Sequence, residues 1–208
     1  MNTASGRRFD AVLLDMDGVL LRSEEVWFAL LTRLRRDLGY PALDRATFDR
    51  LWGQGVQADV EILFPRQTVD ELSALYAAHF LDHVERLDVE AGGPPLVARL
   101  RAAGVATAVV TNTPQPLAGT LLARAGVAVD VVIAGTDAPR PKPWPDPVLL
   151  ACERLGVAPA RALMVGDTAY DAQSAAAAGA AFCGFGGIEA PLVASSLAEV
   201  GDMVLGAG

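Results

Sequence analysis

Apolar and polar positions follow two different patterns along this chain. A short apolar run at Ala11–Leu14 ends in charged residues, which is typical of a buried strand. From residue 96 onwards, segments with helical spacing alternate with apolar runs, and this alternation predicts a parallel sheet with right-handed crossovers. The predicted helices span 96–103, 116–125, 146–155 and 169–178, with Asp146 as the cap of the third. The predicted strands span 105–110, 129–134, 162–165, 180–183 and 192–194.

The stretch between residue 23 and about residue 88 has helical spacing throughout. Asp44 and the capping box Thr68–Glu71 predict helix starts, and a Gly/Pro-rich break over 91–95 ends this region. We therefore predict an α/β protein with two parts. Residues 1–21 and 90–208 form a Rossmann-like parallel-sheet core domain, and residues 22–89 form an α-helical cap domain inserted after the first strand.

The composition narrows the range of partners. The 208 residues include 17 Lys and Arg against 25 Asp and Glu, a net charge of −8, which argues against binding to nucleic acid or to an anionic membrane surface. Cys152 and Cys183 are far apart in apolar surroundings, so we expect buried thiols in a reducing compartment. No apolar stretch approaches the ~20 residues of a membrane helix. We expect a cytoplasmic monomer or homodimer.

The first strand delivers two carboxylates, Asp15 and Asp17, followed by Gly18. Carboxylates this close to a buried strand repel each other, and a divalent cation would remove that repulsion. One carboxylate would then be free to attack an electrophile and the other to move a proton. Gly18 allows the backbone to turn sharply and to approach a ligand. The alternative is a strand that ends in an Asx-rich turn.

Three later strands also end in polar residues. Thr111 and Asn112 offer a hydroxyl and an amide suited to a phosphate oxygen, although Asn112 or Thr113 could instead cap the next helix. Lys142 lies in a stiff proline-rich loop, where it could pair with a phosphate and with an attacking carboxylate. The alternative interpretation is a solvated lysine on a surface loop. Asp167 could bind a hard cation, and Asp171 could support it or Lys142. Four carboxylates and one lysine at one sheet edge would leave their charges unbalanced. Bound Mg²⁺ and a phosphate would make this arrangement electrostatically reasonable.

These residues resemble the motifs of the haloacid dehalogenase superfamily in its phosphatase branch. The stretches that carry the resemblance stand in the family's order: Asp15-Met16-Asp17-Gly18-Val19-Leu20, Thr111-Asn112, Lys142-Pro143 and Gly166-Asp167-Thr168-Ala169-Tyr170-Asp171. The resemblance covers essentially the whole chain. The helical region after the first motif is similar to the cap of the phosphoglycolate phosphatase and β-phosphoglucomutase-like subgroup.

The resemblance implies a role for each of these residues. Asp15 would be the nucleophile that forms an aspartyl-phosphate, and Asp17 would be the general acid and base. Mg²⁺ would be held by Asp15, by the carbonyl of Asp17 and by Asp167. Supporting positions would be Gly18 and Asp171, and the phosphate-binding residues would be Thr111, Asn112 and Lys142.

The cap supplies three candidate specificity residues. Gly53 and Gln54 fall where members of this subgroup place a specificity loop, but a helix break with a solvated glutamine explains them equally well. Arg22 stands where many relatives carry Asp. It could meet an anionic substrate group, or it could pair with Glu24 or Glu25, and we favour the pairing.

The sequence thus predicts a Mg²⁺-dependent phosphatase acting on a small phosphate monoester of the phosphoglycolate or sugar-phosphate type. One alternative is a sugar-phosphate mutase similar to β-phosphoglucomutase. The other is a non-catalytic protein that binds a phosphorylated metabolite. His79 and His83 could form a metal pair, but cap-core or interface histidines are favoured because a third ligand is not evident.

Overall fold

The computed structural model describes residues 8–206; residues 1–7, 207 and 208, which the sequence assigns to the core domain, lie outside this part. A six-stranded parallel sheet has the strand order β5-β4-β1-β6-β7-β8. Its strands are β1 (Ala11–Leu14), β4 (Ala106–Val110), β5 (Val131–Ile133), β6 (Ala162–Gly166), β7 (Ala181–Phe185) and β8 (Leu192–Ala194). The α/β prediction is confirmed.

Helices connect these strands. They are α1 (Glu24–Asp37), α2 (Arg45–Leu51), α3 (Val56–Ile62), α4 (Val69–His79), α5 (Gly93–Ala102), α6 (Leu117–Ala125), α7 (Asp146–Leu155), α8 (Ala169–Ala178) and α9 (Leu197–Leu205). A 3₁₀ segment at Phe80–Arg86 follows α4. The first four helices and this segment form one continuous helical region between β1 and the rest of the sheet.

The central strand β1 is buried on both faces. Val12 and Leu14 pack into the larger apolar cluster, which extends into the helical region. Ala11 and Leu13 point to the other face and pack with α7 and α8. This two-sided burial is why the strand is a continuous apolar run instead of an alternating one.

A two-stranded antiparallel ribbon joins the helical region to the sheet. It pairs β2 (Leu21–Arg22) with β3 (Asp88–Val89). The sequence predicted only helix up to about residue 88, because two-residue strands carry too little periodicity to be recognised. The predicted cap boundaries, residues 22 and 89, fall on this ribbon.

One predicted helix start and one predicted helix cap differ from those in the structure. The helix predicted from residue 96 begins at Gly93, so that two prolines lie in its first turn. Proline is tolerated there because the N–H groups of a first turn have no partner within the helix. The prediction that Asp146 caps α7 was wrong, since the N-cap is Pro145 and Asp146 is the first helical residue. Its carboxylate instead binds Arg140 at 2.8 Å.

Several smaller predictions can be located in the described part of the chain. Cys152 and Cys183 are both free and buried, as predicted. The ring of His79 lies 3.1 Å from Asp82, and the buried Nε2 of His83 has no hydrogen-bond partner among the described residues. None of the helices described is both long enough and apolar enough to cross a membrane.

Candidate active site

The register of the sheet brings the predicted site residues to one edge. Leu14 at the end of β1 pairs with Val109 on one side and with Val165 on the other. The neighbouring strands therefore end at the same height. The next backbone N–H, that of Asp15, still donates to the carbonyl oxygen of Val165 at 2.9 Å. Asp15, Thr111 and Asp167 consequently leave the sheet side by side.

Lys142 forms the electrostatic centre of this edge. Its Nζ lies 2.9 Å from Asp15 Oδ1 and 2.6 Å from Asp171 Oδ1, and it also donates to the carbonyl oxygen of Val110 at 3.0 Å. The side chain is only 2% exposed. Burial acts to lower the pKa of the ammonium, but the two carboxylates outweigh it and hold the pKa above its usual value. Lys142 is therefore a buried cation and not a solvated loop residue.

Asp15 belongs to a cluster with more negative charge than Lys142 balances. Burial raises its pKa well above the usual value, and repulsion by Asp171 adds to this while Lys142 partly offsets it. Carboxylate oxygens of Asp15, Asp167 and Asp171 lie within 4.8 Å of one another. Such a cluster favours either protonation or a bound cation.

Asp167 is the residue that fits a cation best. Its buried Oδ1 has no hydrogen-bond partner among the described residues, and its Oδ2 accepts a weak bond from Trp52 Nε1 at 3.3 Å. Burial, with a smaller contribution from Asp171, raises the pKa of Asp167 to about 7. A Cβ atom at Gly18 would overlap this carboxylate, so glycine is required opposite it. The oxygen donors and the orphaned atom fit Mg²⁺, a hard cation.

Asp171 is oriented by its own helix. Its Oδ2 accepts from the backbone N–H of Thr168 at 3.1 Å and from the hydroxyl of the same residue at 2.6 Å, as in a capping box at the start of α8. A side chain at Gly166 would overlap Asp171. Both carboxylate oxygens are thus already bonded, one to Thr168 and one to Lys142. This places Asp171 as the support of Lys142.

Asp17 is held apart from this cluster by three donors. The hydroxyl of Ser23 and the indole Nε1 of Trp27 both donate to Oδ1, the latter at 3.0 Å, and Thr113 Oγ1 donates to Oδ2 at 2.6 Å. Ser23 and Trp27 were not among the residues predicted for the site, and Thr113 was considered only as a helix cap. The available signal was the position of Ser23 and Trp27 at the start of the cap and of Thr113 shortly after β4.

Asn112 links the cap to the lysine loop. Its Nδ2 donates to the carbonyl oxygen of Gly53 at 2.9 Å and to that of Lys142 at 3.0 Å, while its Oδ1 accepts from the Lys142 N–H at 2.9 Å. The amide side chain is therefore engaged with backbone groups. The buried Thr111 lines the cleft beside it. Phosphate binding by Thr111 and Asn112 stays a prediction.

The cap loop closes over the edge of the sheet. Gly53 has a φ of +88°, and a Cβ atom there would lie 2.9 Å from Thr168 Cγ2. Glycine thus allows both the turn and the close approach. The next residue, Gln54, is not a solvated glutamine, because its Nε2 donates to Asp59 Oδ1 at 2.6 Å inside the cleft.

Arg22 lies outside the cleft that holds Asp15. Its guanidinium lies 3.3 Å from Glu90 and 4.0 Å from Asp88, and its side chain is 71% exposed. The predicted pairing with Glu24 or Glu25 was wrong, since both of these bind Arg45. The antiparallel ribbon places Arg22 opposite Asp88, which a reading of sequence neighbours could not show.

The site combines a buried carboxylate, a paired lysine and an orphaned carboxylate oxygen beneath a closed cap. A family model described as haloacid dehalogenase-like hydrolase matches residues 9–179. The chain belongs to this family of hydrolases.

Curated relatives and solved structures agree with this membership. The chain is 36% identical over 186 residues to a plasmid-encoded phosphoglycolate phosphatase of Cupriavidus necator, a match that covers 83% of this chain and 79% of the relative. It is 33% identical over 179 residues to N-acetylmuramic acid 6-phosphate phosphatase of Pseudomonas aeruginosa, with the same coverage of 83% and 79%. CbbY from Rhodobacter sphaeroides in complex with phosphate superposes with a TM-score of 0.80 at 25% identity, over 93% of this chain and 96% of that one.

Proposed function

We propose that this hydrolase is a Mg²⁺-dependent phosphatase that releases inorganic phosphate from a small phosphate monoester through an aspartyl-phosphate on Asp15. The observation that carries the proposal is the buried Asp15 carboxylate, which is paired with Lys142 and lies beside the unpartnered oxygen of Asp167. A buried lysine next to an acidic cluster suits a dianionic phosphoryl group better than it suits a structural role.

Two half-reactions follow from the positions of the two aspartates. Lys142 and Thr111 would orient the phosphoryl oxygens, and a carboxylate oxygen of Asp15 would attack phosphorus as the ester P–O bond breaks. Asp17 would donate its proton to the departing oxygen. In the second half, the Asp17 carboxylate would accept a proton from water, whose oxygen attacks phosphorus and frees Asp15 with release of phosphate.

The metal would be held by Asp15, by Asp167 and by the backbone carbonyl of Asp17. When bound, Mg²⁺ would neutralise the repelling carboxylates and stabilise the negative charge on the phosphoryl group. Asp171 would take no direct part, because its oxygens are bonded to Lys142 and Thr168.

The alternatives have less support. A mutase that carries a bisphosphate needs cations for a second phosphate, whereas Lys142 is the one basic residue among the described residues that line the cleft. A non-catalytic binding protein would not need Asp15 paired with a buried lysine and a second aspartate, Asp17, held by three donors beside it. The two curated relatives described above bear the names of different substrates, so their names alone do not identify the ester. The cytoplasmic location, the oligomeric state and the absence of nucleic-acid and membrane partners stay predictions.

Phosphate release from a panel of small phosphate monoesters tests the proposal directly. We expect turnover with Mg²⁺, its loss after addition of EDTA, and its return when Mg²⁺ is added in excess. Circular dichroism in EDTA serves as the control that the fold persists without the metal. Equal turnover with and without EDTA would contradict the metal dependence, and no release from any ester would contradict the phosphatase assignment.

The indole of Trp27 provides a second test, through the hydrogen bond that it donates to Asp17. Trp27→Phe keeps an aromatic ring in edge contact with Tyr76 and Phe80 but removes the N–H donor. We expect kcat/KM for an alkyl phosphate to fall about tenfold, because a misplaced general acid protonates the leaving oxygen less well. Because 4-nitrophenolate leaves without protonation, kcat/KM for 4-nitrophenyl phosphate should fall much less. An equal loss for both esters would contradict a role of Trp27 through Asp17.

A further inference from the structure

The half of the active-site cleft formed by the cap is mostly apolar. Its walls come from α1, α2, α3 and residues adjoining these helices, and they include Leu31, Phe48, Leu51, Val56 and Leu63. Asp15, Asp17 and Lys142 line the opposite half. A phosphate ester whose phosphoryl group lies at Asp15 would therefore place its leaving alcohol against apolar side chains.

One charged group interrupts these apolar walls. Asp59 is only 8% exposed and lines the cleft. Its Oδ1 accepts from Gln54 Nε2 at 2.6 Å, and its Oδ2 accepts from the hydroxyl of Tyr76 at 2.8 Å. Burial raises the pKa of Asp59 to about 6, against the two hydrogen bonds that lower it, so the group is ionised at about pH 8.

No basic side chain of the described residues that line the cleft balances Asp59. Lys142 is committed to Asp15 and Asp171 in the opposite half. Arg35 is also buried in the cap, but it does not line the cleft, and its guanidinium donates to the backbone carbonyls of Pro41 and Leu63 and not to Asp59. The charge on Asp59 therefore faces the cleft with only neutral donors on it. A second negative charge placed beside it would be repelled in a medium of low polarity.

We propose, on the basis of the phosphatase function proposed above, that the substrate is a phosphate monoester whose leaving alcohol is free of negative charge. Its body would be apolar, and it would carry a hydroxyl, amide or ammonium group that donates a hydrogen bond to Asp59. Each carboxylate oxygen can accept more than one hydrogen bond, so Asp59 retains capacity beside Gln54 and Tyr76. Esters with a carboxylate or a second phosphate would be discriminated against.

The proposed substrates differ from those named for the relatives of this chain. Phosphoglycolate and N-acetylmuramic acid 6-phosphate both carry a carboxylate on the leaving group. An enzyme that binds such a group is expected to place a cation or neutral donors opposite it. Here the corresponding half of the cleft presents apolar side chains and the carboxylate of Asp59.

Two matched series of esters test the substrate class. The two-carbon series compares phosphoglycolate with 2-hydroxyethyl and 2-aminoethyl phosphate, and the aromatic series compares 4-carboxybenzyl with benzyl and 4-(hydroxymethyl)benzyl phosphate. At about pH 8 we expect kcat/KM for the carboxylated member of each series to be at least about tenfold lower than for the others. The value of kcat/KM for 4-(hydroxymethyl)benzyl phosphate should exceed that for benzyl phosphate. A preference for the carboxylated member in either series would overturn the proposal.

Asp59→Asn identifies the residue responsible. The substitution removes the charge and keeps a group of nearly the same shape. We expect the ratio of kcat/KM for 4-carboxybenzyl phosphate to that for benzyl phosphate to rise at least about tenfold. Asp70→Asn is the matched control, since Asp70 is an exposed acid on α4 of the same cap. An unchanged ratio in Asp59→Asn would show that Asp59 does not set the selectivity.

Calorimetry separates failure of this proposal from failure of the phosphatase assignment. The Asp15→Asn variant lacks the nucleophile, so binding can be measured without turnover. Tighter binding of benzyl than of 4-carboxybenzyl phosphate to this variant would support the substrate class even if no ester released phosphate. Equal binding, or tighter binding of the carboxylated ester, would overturn the substrate class even if the wild type proved to be a phosphatase.

Discussion

Replacing Asp15 by asparagine is expected to lower kcat by about 10⁴-fold or more while the protein stays folded. The amide cannot attack phosphorus, so the aspartyl-phosphate cannot form. The free energy of unfolding should not fall. Burial and repulsion by Asp171 raise the pKa of Asp15, which means that the ionised carboxylate destabilises the fold and that a neutral amide removes this cost. Lys142 keeps its bond to Asp171 at 2.6 Å and is not left unpaired. The urea midpoint in EDTA should be equal to or above that of the wild type.

The measurements are phosphate release with the best ester and urea unfolding followed by circular dichroism. Asp70→Asn provides the same chemical change at an exposed position of the cap and should match the wild type in both. Turnover of Asp15→Asn within tenfold of the wild type would be incompatible with Asp15 as the nucleophile. A large drop in the urea midpoint would instead show that Asp15 is mainly a structural partner of Lys142.

The sequence was most informative where local pattern and topology act together. The residues that follow the strands β1, β4 and β6 could be located because carboxyl ends of parallel strands meet at one edge. Lys142 was identifiable because prolines fix its loop. The burial of Lys142, however, depends on its pairing with Asp15 and Asp171, which are distant in sequence. Its pairing became a prediction only through the chemistry expected at that edge.

What the sequence missed depends on how the cap packs against the core. Ser23 and Trp27 reach Asp17 because the start of α1 turns back toward the sheet edge. No sequence pattern singled out Asp59, and only the positions of Gln54 and Tyr76 show that it is buried. Such contacts join residues through tertiary structure, and neither helical spacing nor capping patterns encode them. The failed assignments of Arg22 and Asp146 have the same origin, since both bind partners across a turn or a ribbon.

Removing the cation of the buried cluster should have the largest effect on stability. Lys142→Met leaves Asp15 and Asp171 buried without their shared partner, and we expect a loss of about 3–5 kcal/mol in the free energy of unfolding. Phosphate release should also fall by about 10³-fold, because a charge-assisted bond to the phosphoryl group is lost. Urea unfolding in EDTA at about pH 7 measures the first effect, and kcat/KM measures the second. Arg101→Met, which removes an exposed cation, is the control and should change stability by less than about 1 kcal/mol.

The pH dependence and a double variant distinguish electrostatics from lost packing. Without Lys142, the main offset to the burial that raises the pKa of Asp15 is lost, so that carboxyl stays protonated in the folded state to higher pH. Protonated carboxyls are less costly to bury, so the stability lost in Lys142→Met should shrink as the pH falls toward 4 and grow as it rises. Adding Asp15→Asn to Lys142→Met should recover part of the loss at about pH 7, because one of the unpaired charges is gone. A loss that is independent of pH and additive with Asp15→Asn would mean that Lys142 stabilises the fold by packing alone.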